Sequence, residues 1–168
     1  MNIPFFSQIL LLFFPILLIT GAFYDVMTLR LPNTYNLFGL IMFFPIAWMA
    51  GIPFNNILIH LLVGSGVLLV SFGAFAAGFF GGGDSKFIAV IALWIGYDTL
   101  VEFFFLTGIF GGLLALLVLI GGRFIPVEWQ PAFFKAMSKR KVVPYGAAMA
   151  IAALLVYQDT AIWINLMS

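Results

Sequence analysis

Two carboxylates stand out in an otherwise apolar chain. Asp25 ends the run "LITGAFYD", and Asp84 follows three glycines in "GGGDSK". An ionised carboxylate beside hydrocarbon is costly, so each needs a partner or a task. Two carboxylates that share a proton can activate water, one acting as base and the other as acid, and so hydrolyse a peptide bond. That chemistry needs no thiol, no metal and no Ser–His pair. The chain has no cysteine, which excludes disulfides, Cys-based zinc sites and thiol catalysis. Its one histidine, His60, falls near the far end of an apolar segment and reads as a structural hydrogen-bonding group.

The elements that must position these acids follow from composition. Of 168 residues, 64% are hydrophobic and 8% charged, and the mean hydropathy is +1.20. A soluble domain of this size carries about 25% charged residues. The reading is an all-α, polytopic membrane protein, a single domain over residues 1–168 without a linker-like stretch. Spanning segments need about 20 apolar residues. They are expected at 4–24, 34–51, 56–80, 100–122 and 144–165, with a shorter one at 85–97, giving a six-helix bundle. The shorter one either crosses as a short buried helix or is re-entrant. No Lys or Arg precedes the first apolar run, so it reads as a retained span and not a cleaved signal.

Six crossings place all seven basic residues on one side: Arg30, Lys86, Arg123, Lys135, Lys139, Arg140 and Lys141. Asp98, Glu102 and Asp159 fall on the other. The positive-inside rule then puts both termini outside and the basic loops in the cytoplasm. Asp25 and Asp84 share that cytoplasmic depth. Small residues at four-residue spacing, Ala74, Gly78 and Gly82 and then Gly108 and Gly112, read as helix-packing ladders. In "PVEWQPAFFKAMSKRKVV", Phe133, Phe134 and Met137 alternate with Lys135, Lys139 and Arg140. The stretch reads as an interfacial helix or as a basic topogenic loop.

Each acidic motif also has a purely structural reading. Gly81, Gly82 and Gly83 permit close backbone approach. Asp84 is expected where a helix begins, with Ser85 and Lys86 in its first turn, and can be an N-cap. A phosphate loop fits poorly, because Ser85 precedes Lys86 and Phe87 follows it. In "DVMTLRLPNTYN", Leu31-Pro32-Asn33 reads as an extended break before the second span, capped by Asn33 or Thr34. Arg30 is either a partner for Asp25 or a topology anchor.

Taken together, these motifs resemble those of the type IV prepilin peptidases. Asp25 followed by Leu31-Pro32-Asn33 is similar to that family's first aspartate motif. "GGGDSK" is similar to its Gly-x-Gly-Asp-x-Lys motif, and "VPYG", with Pro144 and Gly146, to the opening of its last helix. The resemblance implies a six-helix intramembrane aspartic protease with Asp25 and Asp84 as catalytic pair. Gly81, Gly82, Gly83, Lys86, Arg30, Pro32, Asn33, Pro144 and Gly146 would support them. It implies no cofactor and no metal. The implied substrates are prepilin or pseudopilin precursors, cut at the cytoplasmic face of the inner membrane between a basic leader and an apolar helix. Membrane lipids are the remaining partners, and no nucleic acid is expected. Long members of that family carry zinc-type cysteine pairs and also N-methylate the new terminus. This cysteine-free chain resembles the short peptidase-only form of Flp/tight-adherence pilus systems, so methylation is not expected of it. Two other classes fit the same acids: a small ion- or proton-coupled transporter subunit, and a non-catalytic membrane subunit of a pilus or secretion machine.

Overall fold

The computed structural model describes residues 5–79, 81–140 and 143–167. Eight α-helices account for most of them: α1 (Phe5–Thr28), α2 (Asn33–Met49), α3 (Phe54–Ala76), α4 (Gly82–Ile95), α5 (Leu100–Phe124), α6 (Ala132–Arg140), α7 (Tyr145–Val156) and α8 (Ala161–Met167). Short 3-10 turns at Val127–Trp129 and Tyr157–Asp159 complete the path, and no strand occurs among the described residues. Pro4, Phe80 and Lys141, which sequence reasoning puts in the first span, the third span and the basic loop, lie outside the described residues.

Each of the six apolar segments holds helix among the described residues. Three of them, Ser7–Thr28, Phe54–Ala76 and Leu100–Phe124, are long and apolar enough to cross a membrane. A fourth exists if Tyr145–Asp159 and Ala161–Met167, which meet at a 46° bend, count as one span. The last expected span is therefore two helices. The break falls at Thr160, which takes an extended backbone (ψ 150°) and opens α8 by accepting the Trp163 N–H on its Oγ1 at 3.3 Å, an N-cap contact.

α4 is the axis of the packing. At 14 residues it rises only about 21 Å, and every residue from Phe87 to Ile95 is buried. It touches α2, α3, α7 and α8. Its Trp94 is fully buried and stacks on Phe14 of α1 at 4.8 Å between ring centroids. The Trp94 indole N–H reaches the Gly39 carbonyl of α2 (3.0 Å), which satisfies its one polar group. His60 of α3 is buried and its Nδ1 meets the Leu93 carbonyl at 2.7 Å, the structural role expected of it. Ser71 and Ser85 each donate to the other's carbonyl, at 3.0 and 3.1 Å, closing the opposite end of the α3–α4 pair.

The small-residue ladders do not pack as expected. α3 ends at Ala76, so Gly78 and Gly82 are not on it. Gly108 and Gly112 face open space, and with Ala74 they line a cleft of about 800 Å³ between α3 and α5. The polar loop does hold a helix, α6. Its Met137 is buried and the Phe134 ring lies directly over Gly121 of α5.

Candidate active site

The first acid lies three residues before the end of α1, where the chain leaves the helix through Leu29, a non-glycine residue with positive φ (55°). The segment then runs through Leu31 to Pro32, which caps α2 with φ −65° and ψ 144°. Sequence reasoning puts the cap at Asn33 or Thr34. Proline takes it instead, because its fixed φ suits the entry and it has no N–H to leave unpaired. Leu31 is buried and acts as a wedge. On one side its carbonyl presses on Gly83, where a Cβ would lie 2.8 Å from that oxygen. On the other side its Cδ1 presses on Gly146, where a Cβ would lie 2.9 Å away. Only glycine leaves room for this triple contact of the three motifs.

Asp25 is 3% exposed. Its Oδ2 accepts the Gly146 N–H at 2.8 Å, and the Ala147 amide also donates to the carboxyl. These are amides of the first turn of α7, where helix geometry leaves N–H groups to spare, and the Ala147 amide is shared with the carbonyl of the N-cap Pro144 at 3.2 Å. Pro144 is the N-cap of α7 and has no side-chain capping bond. Asp25 supplies that cap from another helix. A Cβ at Gly146 would sit 2.8 Å from Oδ2, so the same glycine that admits Leu31 also admits the carboxylate.

Asp84 is half-buried in the first turn of α4. It is not the N-cap; Gly81 is, in extended conformation (φ −75°, ψ 150°). Asp84 is the third helical residue, and its carboxylate accepts the Gly81 amide, the reach-back half of a capping box. The two carboxyls lie within electrostatic reach of each other, α1 contributing one and α4 the other. The structure therefore brings Asp25, Asp84, Gly81, Gly83, Pro144 and Gly146 to one end of the bundle. Gly82 faces the Phe75 ring of α3.

Two expected supports act differently. Lys86 donates to Asn33 Oδ1 at 2.7 Å, so it ties α4 to α2 and does not serve Asp84 directly. Arg30 is exposed and makes no ion pair with Asp25 among the described residues, which leaves it the anchor reading. Sequence reasoning misses two residues, Leu31 as the wedge and Asn36. Asn36 is buried, and its Nδ2 donates to the Gly83 carbonyl at 3.2 Å, fixing the glycine turn from α2. Its spacing of three from Asn33 on a helix, hence a shared face, is the signal that points to it.

Comparison with known proteins bears on the same segments. The model of the type IV leader peptidase family matches residues 12–116, which include both acids and all of α4. The chain belongs to the type IV leader peptidase family. No curated protein and no solved structure gives a significant match. Family membership implies a protease with prepilin-type substrates in general, and the apolar helices make this leader peptidase an integral membrane protein. Among the described residues no group of three His, Cys, Asp or Glu side chains is placed to hold a metal ion.

Proposed function

We propose that this protein is an aspartic endopeptidase with Asp25 and Asp84 as its catalytic pair. It would remove the basic leader of prepilin-like precursors at the cytoplasmic face of the inner membrane. The observation that carries the reading is the convergence of two carboxyls from different helices on one site, with Asp25 fixed by the amides of α7. A pair that shares one proton supplies both functions the hydrolysis needs. The ionised member takes a proton from water as the oxygen attacks the scissile carbonyl. The protonated member gives its proton to the carbonyl oxygen, forming a gem-diol. The first carboxyl then passes the proton it took from water to the amide nitrogen as the C–N bond breaks, and a diol hydroxyl returns its proton to the second carboxylate.

The site's place at one end of the bundle suits a bond between a charged leader and an apolar helix. The leader stays in water while the helix stays in the lipid. The seven basic residues, all on one side if the six apolar segments cross, orient that end to the cytoplasm with both termini outside. α4, too short by the usual measure, would cross inside a sleeve of its neighbours.

The test is cleavage by purified protein in detergent, using a synthetic precursor with a basic leader and an apolar helix. Mass spectrometry of the products should place the cut between the two. A precursor left intact, or cut within the apolar helix, would overturn the proposal.

A further inference from the structure

A groove opens to the outside of the bundle between α2, α3 and α4, apart from the carboxyl pair. Its volume, about 900 Å³, sits at the upper end of ligand clefts, ~300–1,000 Å³. It is polar at one end, where Asn33, Asn36 and Lys86 lie, and apolar along most of the rest, past Leu40, Leu68 and Leu93.

Two features of the polar end are unfinished. The Lys86 ammonium is held by the neutral Asn33 amide and makes no ion pair among the described residues. Asn36 is 4% exposed, and while its Nδ2 is occupied by Gly83, its Oδ1 is buried without any partner. A buried acceptor left unpaired is costly. The groove thus asks for an anion at Lys86, a hydrogen-bond donor at Asn36 and an apolar chain below them.

We infer that this groove is a seat for one anionic phospholipid of the phosphatidylglycerol type. Its phosphate meets Lys86, a glycerol hydroxyl of its headgroup donates to Asn36 Oδ1, and an acyl chain lies along α3 and α4 toward Leu93. Charge complementarity selects an anionic lipid, and the orphan acceptor selects a headgroup with a donor. Phosphatidylcholine has a phosphate but no headgroup donor, so the groove discriminates against it. The inference does not depend on the protease reading, because Lys86 is held by Asn33 and Asn36 by the Gly83 carbonyl, and neither bonds to a carboxyl of the pair.

Native mass spectrometry of the full-length protein in neutral detergent, titrated with phosphatidylglycerol or phosphatidylcholine of matched chains, tests it. Phosphatidylglycerol should bind at least about tenfold tighter, and Lys86→Gln should weaken it by roughly tenfold, the effect of one charge-assisted contact. Ser65→Trp fills the middle of the groove from an exposed position while leaving the polar end intact, and should also abolish retention of the lipid. Equal binding of the two lipids by the wild type, or unchanged binding in both variants, would overturn the inference. A benzoylphenylalanine placed at position 65 adds a direct readout in membranes containing a precursor. A lipid adduct supports the seat, whereas a precursor adduct in its place assigns the groove to substrate.

Discussion

Asp25 and Asp84 are held by different means, and each makes its own prediction. Asp25 depends on the amides of α7, admitted only because position 146 has no side chain. Gly146→Ala should reduce precursor cleavage by at least about tenfold while the protein still inserts, since overpacking here costs ~1–3 kcal/mol and falls on the carboxyl itself. Gly112→Ala is the matched control, because nothing lies within 4 Å of the Cβ it adds. Initial rates on one precursor compare the two; equal rates would mean that the Asp25 seat has no bearing on activity. The acids and the glycines around them were legible from residue type, because an acid in grease and a Gly-Gly-Gly run are conspicuous. Leu31 was not, since a leucine in an apolar chain carries no mark, and its role comes from packing between two distant glycines. The direction of Lys86 was not legible either: the first turn of α4 fixes its height but not which neighbour it meets.

At the scale of elements, the order and type of the helices were legible because long apolar runs bounded by Pro32, Pro53 and Pro144 leave little choice. The bend at Thr160 and the open cleft of Gly108 and Gly112 were not, because both depend on what packs against them. Helix packing also bears on the turn that carries Asp84. Ser71 and Ser85 close it with reciprocal hydrogen bonds, both side chains buried. Replacing Ser71 with Ala leaves the Ser85 carbonyl short of one donor, and should lower stability by about 1 kcal/mol. A fall in thermal midpoint in detergent checks this, and no change would show that the turn is held from α2 alone. The crossing of α4 is the topological hinge of the account. Reporter fusions after Arg30, Lys86 and Lys139 should report the cytoplasm, and one near Asp98 the outside. A cytoplasmic signal at Asp98 would make α4 re-entrant and reverse the assignment of every residue after it.

For the whole molecule, what matters is that the proposed catalysis rests on carboxyls alone. The chain has no thiol to alkylate. Precursor cleavage should therefore persist in the presence of chelators and of serine- or thiol-directed reagents. Inhibition by a chelator, reversed on adding metal, would count against two-carboxylate chemistry. The most direct measurement of the central proposal is coexpression with a precursor, followed by gel analysis of leader removal for wild type, Asp25→Asn and Asp84→Asn, with Asp98→Asn and Asp159→Asn as controls. Loss of a general acid or base costs roughly 10²–10⁴-fold. Both variants of the proposed pair should leave the precursor uncut at normal membrane levels of the enzyme, while both controls process it fully. Complete processing by either Asp25→Asn or Asp84→Asn would contradict the account.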